Sequence, residues 1–369
     1  MKRIWLFNSI LFLSLWSNTA TAQRNNLWQE EPDITLSGFI DVFYVYDFNQ
    51  PQSEKRQDFI FNHNRHHEFN LNLGLVKLDL EHHKYRASFA LQAGTYADDN
   101  YAAESGLAKN IYEAHVGISL NSKNNLWLDA GILPSHIGFE SAVSSNNMTL
   151  TRSLSAENSP YYLTGAKVTY HPSEKWELAG LVVNGWQRIQ RVEGNSLLSF
   201  GSQLMFRPQE TIVLNWSSFI GTDDSDINRR IRYFNNFYGQ FQLSDKLAFI
   251  TGFDLGIQQR MKNSSVYDFW LSPVVIGQYS MGKGWKTAIR AEYYQDKKGI
   301  IIPSSTAHGF RTTGLSINLD YEPSKNIVCR LEGRWLKSKD RIFETSTIPT
   351  SRNLIIASSI AIRLSQPTQ

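Results

Sequence analysis

In the stretch 285–293, Trp285, Thr287, Ile289, Ala291 and Tyr293 alternate with Lys286, Ala288, Arg290 and Glu292, so one side is largely apolar and the other carries charge. Ile327, Cys329, Leu331, Gly333 and Trp335 alternate in the same way with Val328, Arg330, Glu332 and Arg334. Earlier, Tyr85, Ala87, Phe89 and Leu91 stand against Arg86, Ser88, Ala90 and Gln92. Period two with charge confined to one side is the pattern of a strand with one apolar and one wet face. Repeated along the chain, it predicts strands near 34–48, 66–82, 84–96, 109–121, 124–133, 161–171, 175–187, 196–207, 211–221, 229–243, 246–260, 267–281, 284–296, 309–322, 326–338 and 352–364. These segments are long for a soluble sandwich and suit a tilted crossing of a bilayer. The phase of segment 66–82 changes near Val76, which predicts a bulge or a displaced boundary.

The connections alternate as well. Short turns fall at His82–Lys84, Asn121–Asn124, His171–Lys175, Arg207–Thr211, Leu243–Lys246, Met281–Gly284 and Glu322–Asn326, with turn formers such as Pro172, Pro208, Asp245, Gly282 and Pro323. Between them lie longer links at 49–65, 97–108, 134–160, 188–195, 222–228, 261–266, 297–308 and 339–351. Eight long links interleaved with seven short ones require sixteen strands. The predicted fold is all-β: a transmembrane antiparallel β-barrel of about sixteen strands, with short periplasmic turns and longer external loops. Tyr44, Tyr46, Phe48, Trp176, Trp186 and Trp285 lie near strand ends, where such barrels carry aromatic girdles. A propeller would instead show a blade-length repeat, and the chain has none.

Composition sharpens this picture. Hydrophobic residues make up 41% and aromatic residues 13%, yet the mean hydropathy is −0.34. Apolar content is therefore spread in alternation rather than gathered into spans. The exception is the start: Lys2 and Arg3, an apolar run Ile4–Trp16, then Ala20-Thr21-Ala22. That three-part pattern predicts a signal peptide over 1–22, cleaved after Ala22. Its loss removes two of 37 basic residues and no acidic ones, leaving 35 against 34 and a net charge of +1. So balanced a chain gives no reason to expect nucleic acid as a partner. The one cysteine, Cys329, excludes an internal disulfide and reads as a small apolar wall residue. The expected organisation is an N-terminal periplasmic segment at 23–33, a barrel over 34–364 and a tail at 365–369. Many barrels end on an aromatic residue; this one ends Arg363-Leu364-Ser365 and four more residues.

The longest link, 134–160, is the strongest candidate for function. A sixteen-strand wall leaves an aqueous interior, and this loop could fold inward to narrow it. Glu140, Arg152 and Glu157 are then candidate constriction charges, since charge at a narrow point selects among solutes. Strand phase makes Arg86, Glu113, Lys286, Arg290, Glu292, Arg330, Glu332 and Arg334 candidates to face the lumen. Both signs occur; Arg290, Arg330 and Arg334 give a basic balance late in the chain and predict a mild anion preference.

Gly138-Phe139-Glu140-Ser141, Asn146, Thr151-Arg152-Ser153, Thr164-Gly165-Ala166, Val183-Asn184-Gly185-Trp186 and the leading Ser37-Gly38-Phe39-Ile40-Asp41 together resemble the β-barrel porin-2 (OmpL-like) family over about 34–364. The resemblance implies an outer-membrane barrel with a pore role. It carries over no substrate and no catalytic residue.

The expected function is an outer-membrane porin, with passive diffusion of small hydrophilic solutes through a water-filled barrel and no covalent chemistry or cofactor. Its partners are outer-membrane lipid and those solutes. A homo-oligomer, in particular a trimer, is left open. The alternative is a structural or adhesive barrel with an occluded lumen; the shortness of most external links favours the pore. Three other arrangements fit the sequence less well. His63, His66 and His67 cluster in sequence as metal ligands do, without a cysteine or a fixed geometry. Glu113, His115 and Ser119 share one strand face, as an acyl-transfer site would require, but polar residues are expected on that face anyway. Residues 23–33 are too few for a plug domain.

Overall fold

The alternation closes on itself. In the computed structural model, which describes Trp28 and residues 30–367, sixteen antiparallel strands form a closed barrel. They are β1 (Asp33–Asp47), β2 (Phe69–Glu81), β3 (Tyr85–Ala93), β4 (Ile111–Ser119), β5 (Leu126–Pro134), β6 (Tyr162–Ser173), β7 (Trp176–Val183) and β8 (Ser199–Gln209). The second half is β9 (Ile212–Gly221), β10 (Arg232–Gln242), β11 (Leu247–Gln259), β12 (Tyr267–Gly282), β13 (Trp285–Asp296), β14 (Phe310–Ser324), β15 (Ile327–Ser338) and β16 (Arg352–Pro367). Each strand pairs with its sequence neighbours, and β1 closes on β16 with Ile40 opposite Ile362. Closure leaves no open edge whose N–H and C=O groups would need partners in lipid.

Which side of each strand faces out follows from exposure. Ile289 and Ile317 are 61% exposed, while Arg290 and Asn318 beside them are buried. That inverts a soluble core, as a wall against lipid requires. The short turns need local chemistry: at Gly282-Lys283-Gly284 all three residues have positive φ, and a Cβ on Gly284 would run into the Glu322 carbonyl.

Boundaries differ from the sequence reading where side chains leave the ladder to hold loops. β2 begins at Phe69 rather than near 66. Its irregularity lies at Asn72, where the register passes from Asp41–Leu73 to Val42–Leu71, not at Val76. The bulge lets Asn72 accept from His63 N (3.0 Å) and donate to Asp41 (3.2 Å). β7 stops at Val183, so Trp186 belongs to the link that follows. β16 runs on to Pro367, opposite Thr35, past the expected end at Leu364. The expected signal peptide lies outside the described residues.

The interior is not an empty cylinder. Phe59 and Ile60 from link 48–68, Ile137 and Leu154 from link 135–161, Ile302 from link 297–309 and Phe343 from link 339–351 all pack in one apolar cluster. They meet inward-turned wall residues such as Leu181, Phe219, Phe234 and Trp270. Inward folding was expected of one loop; four supply buried residues to this cluster and Trp186 of the link after β7 packs against it, because the larger links bring apolar residues that water would leave unfavourably exposed. Two short helices lie in the links, α1 (Thr95–Asn100) and α2 (Leu154–Glu157).

Candidate functional site

Link 135–161 crosses the barrel from wall to wall, and inward-turned residues of successive strands hold it. His136 Nε2 lies 2.9 Å from the Ser218 carbonyl on β9, and Ser217 Oγ donates to the His136 carbonyl at 2.6 Å. Gly138 N donates to Asn236 on β10 at 3.1 Å, and the Phe139 ring meets Tyr238 edge-on. At its far turn, Arg330 of β15 donates to the Ser144 carbonyl (2.6 Å) and the Asn147 carbonyl (3.0 Å). Leu150 N donates to Asn318 (3.0 Å), Thr151 N to Glu332 (2.6 Å) and Leu154 N to Glu292 (2.6 Å). The loop then turns through α2, capped by Ser153 Oγ accepting from Ala156 N. It returns beside β7, where Tyr161 N donates to Gln187. A buried backbone N–H without a partner is costly; here the wall supplies the acceptors.

The charges of β13–β15 serve this attachment. Arg290 donates to Thr149 Oγ1 (2.8 Å), Thr151 Oγ1 (2.9 Å), the Thr151 carbonyl and Glu332 (3.0 Å). Arg334 pairs with Glu292 at 2.7 Å, and Arg330 grips Asp320 with two bonds of 2.8 and 3.0 Å. All five predicted charges of this sector (Arg290, Glu292, Arg330, Glu332 and Arg334) are buried and paired. The anion preference read from the three arginines therefore loses its basis, since each is matched by a carboxylate at contact distance.

The other three lumen candidates lie elsewhere. Arg86 binds Asp129 through two bonds (2.7 and 2.6 Å) with its guanidinium over the Trp127 ring. Glu113 pairs with Lys77 at 2.5 Å, and Lys286 with Glu322 at 2.8 Å near the periplasmic rim. Arg86 and Lys286 remain about one-third exposed, at 36% and 33% of their side chains.

The three loop charges do not line open water either. Glu140 accepts from Ser153 N and Oγ, and Arg290 lies 3.9 Å away. Arg152 pairs with Glu157 at 3.0 Å, and its guanidinium lies over the Tyr161 ring, 3.5 Å from the centroid. Glu157 also accepts from Phe61 N of link 48–68 (2.9 Å). Their side chains are no more than 3% exposed, so they fasten the loop rather than face solutes. Sequence reasoning missed Asn236, Asn318 and Asp320; their inward strand phase was the signal available.

The histidines do not converge. His63 Nε2 contacts Asp41 (2.9 Å), His66 Nδ1 accepts from Asp47 N (3.0 Å), and His67 Nδ1 contacts Tyr44 Oη (2.7 Å). Among the described residues no group of three or more His, Cys, Asp or Glu is placed to hold a metal. Ser119 Oγ donates toward Asn121 and Asn124 at its turn, and no hydrogen bond links Ser119 or Glu113 to His115.

A family model described as "Putative beta-barrel porin-2, OmpL-like" matches residues 33–364. The chain belongs to this family. It is an outer-membrane porin of sixteen strands, built for passive diffusion. Solved barrels share its fold at low identity. An anion-selective porin from Comamonas acidovorans superposes with TM-score 0.64 at 9% identity, covering 90% of this chain and 100% of that one. The trimer form of OmpT, an outer-membrane protein of Vibrio cholerae, gives 0.60 at 7% (91% and 100% covered). The outer-membrane channel DcaP of Acinetobacter baumannii gives 0.59 at 12% (90% and 98% covered). No curated protein matches the chain. In this porin, then, the loop after β5 crosses the interior, and the charges of β13–β15 hold it there.

Proposed function

We propose that the porin is a narrow pore for small hydrophilic solutes whose size limit is set by the cross-piece 135–161. The supporting observation is the attachment of that loop to β9, β10 and β13–β15, with Arg290 binding both Thr149 and Thr151. Glu140, Arg152 and Glu157 act by fixing the position of the cross-piece. A loop held at so many points keeps one aperture, and solutes are sorted by size before charge. Residues 1–22 serve as the export signal, and the assembled form is a homotrimer, in keeping with the similar barrel described as a trimer form; cross-linking followed by electrophoresis without heating tests the latter.

The primary test is single-channel conductance of the refolded mature chain in a planar bilayer, beside a variant deleting 140–157. Stable steps that grow in the deletion variant are expected. Silence from correctly folded, heat-modifiable protein would instead favour a surface barrel with an occluded lumen.

A further inference from the structure

At the external side of the cross-piece lies a cavity of about 260 Å³. It is lined by Trp186, Gln187 and Arg188 after β7, Asp223 after β9, Arg232 at the start of β10, and Glu157 and Asn158 of the cross-piece. We propose that this cavity binds a small uncharged polyhydroxylated solute, a sugar of one or two rings. The proposal rests on the pore reading only for its physiological use, as a first docking point above the aperture.

Four features carry it. The lining holds two guanidiniums and two carboxylates, so the site has no net charge to satisfy. These opposite charges are interleaved rather than set at two poles: Arg232 Nη1 lies 4.0 Å from Asp223 Oδ2. A zwitterion or a simple ion needs separated or single-signed poles; a ring of hydroxyls, each donor and acceptor, matches alternating donors and acceptors.

The polar groups also retain unused capacity. Arg232 is nine-tenths buried, yet only its Nε has a hydrogen bond, to Gln258 (2.9 Å). Arg188 has no hydrogen bond or ion pair among the described residues. Glu157 is 2% exposed, and its Oε1 has no partner although Oε2 has two. Charged groups held in place with bonds still to make are what a polar ligand exploits.

The third feature is an aromatic surface. Trp186 is only half-buried, braced edge-to-face by Phe219 and Phe234 at 5.0 and 4.9 Å between centroids, with the Arg232 guanidinium over its ring at 5.0 Å. Its backbone is fixed by Trp186 N donating to Asp223 Oδ1 (2.9 Å). A braced indole gives the apolar C–H face of a sugar ring somewhere to lie, with little ordering cost. The fourth is size: the volume is just below the roughly 300–1,000 Å³ of pockets for drug-sized ligands, which limits the occupant to one or two rings.

The test is calorimetric titration of the refolded porin with D-glucose and with maltose, and with glycine and benzoate as a zwitterion and an aromatic anion. Calorimetry needs no open pore, so a failure of conductance and a failure of this site are read separately. Saturable binding of at least one sugar, tighter than either comparator, is expected. Arg188→Ala, which removes no structural bond, should weaken it about tenfold, the range of a hydrogen bond to a charged group; Trp186→Ala should abolish it and Trp186→Phe should retain part. Heat-modifiable mobility checks that each variant is folded, and loss in either folded alanine variant supports the site. The proposal is overturned if neither sugar binds the folded wild type, if both alanine variants bind unchanged, or if glycine or benzoate binds more tightly than the sugars.

Discussion

Two sectors of the barrel wall use charge in opposite ways. On β13–β15, Arg290, Glu292, Glu332 and Arg334 are at most 4% exposed and interlock with one another and with the crossing loop. On β2–β5, Lys77–Glu113 and Arg86–Asp129 form pairs between strands, with the cations partly in water. The two look alike in sequence, since each puts charge on the wet phase of an alternating strand. The difference lies in what covers them. A pair roofed by a loop has lost its water and must be complete; a pair on a wet wall can lose a member and be rehydrated.

The largest effect should follow from breaking the roofed sector. Arg290→Ala leaves Glu332 and Glu292 short of a buried partner and removes the bonds to Thr149 and Thr151. Removing one member of a buried ion network typically destabilises by about 3–5 kcal/mol. Denaturant unfolding of the refolded barrel should register a loss of that size, and single-channel steps should become larger and noisier as the cross-piece detaches. A quiet channel with unchanged stability would show that the loop is held by its other contacts and that the two sectors do not differ in kind.

That distinction marks where the sequence was legible. Strand number, inward phase and the position of the long loop were readable because period two and link length are local properties: Arg290 and Arg86 were both placed on the inner face by their neighbours. What lies over that face is not local. Nothing near Arg290 in the sequence announces that Thr149 and Thr151, about 140 residues earlier, end against it. For the same reason Arg152 and Glu157 read as pore charges when they are partners in one buried pair. Trp186 reads as a girdle residue from its place near the end of the expected strand 175–187; the chain leaves the strand after Val183, and the Asn184 side chain turns to bond the Ile189 carbonyl (2.8 Å).

On the wet wall a smaller response is expected. Arg86→Ala removes two bonds to Asp129 and a stacking contact with Trp127, but Asp129 can recruit Lys167 on the adjacent strand or water. Exposed pairs contribute about 0–1 kcal/mol, and salt reduces them further. The Asp129 side chain is only 4% exposed, so the loss should exceed that range yet stay below that of Arg290→Ala. It should shrink in part in high salt through the exposed Arg86, whereas the Arg290→Ala loss should persist. Equal losses in both, with equal salt dependence, would erase the contrast between sectors.

The smallest effect should come from the external rim, where Asp99 on α1 binds link 48–68 and is part way between the two extremes. Burial works against its charged form, but hydrogen bonds from Asn64 and Arg65 and the nearby Lys55 outweigh it and hold the carboxyl below its ordinary range. A folded-state value below the unfolded one adds stability that is fully present above the unfolded value of about 3.9. It is lost only as the pH falls through the lowered folded value. Attachment of link 48–68 to α1 should therefore be unchanged from neutral pH down to about 4 and loosen in stronger acid. Proteolysis of link 48–68 with an acid-active protease measures this directly: Asp99→Asn should make the link susceptible at mildly acidic pH where the wild type resists. If both are cut alike throughout, the rim pair contributes nothing, and roofing by protein, as at Arg290, is what makes a charge pair structural in this barrel.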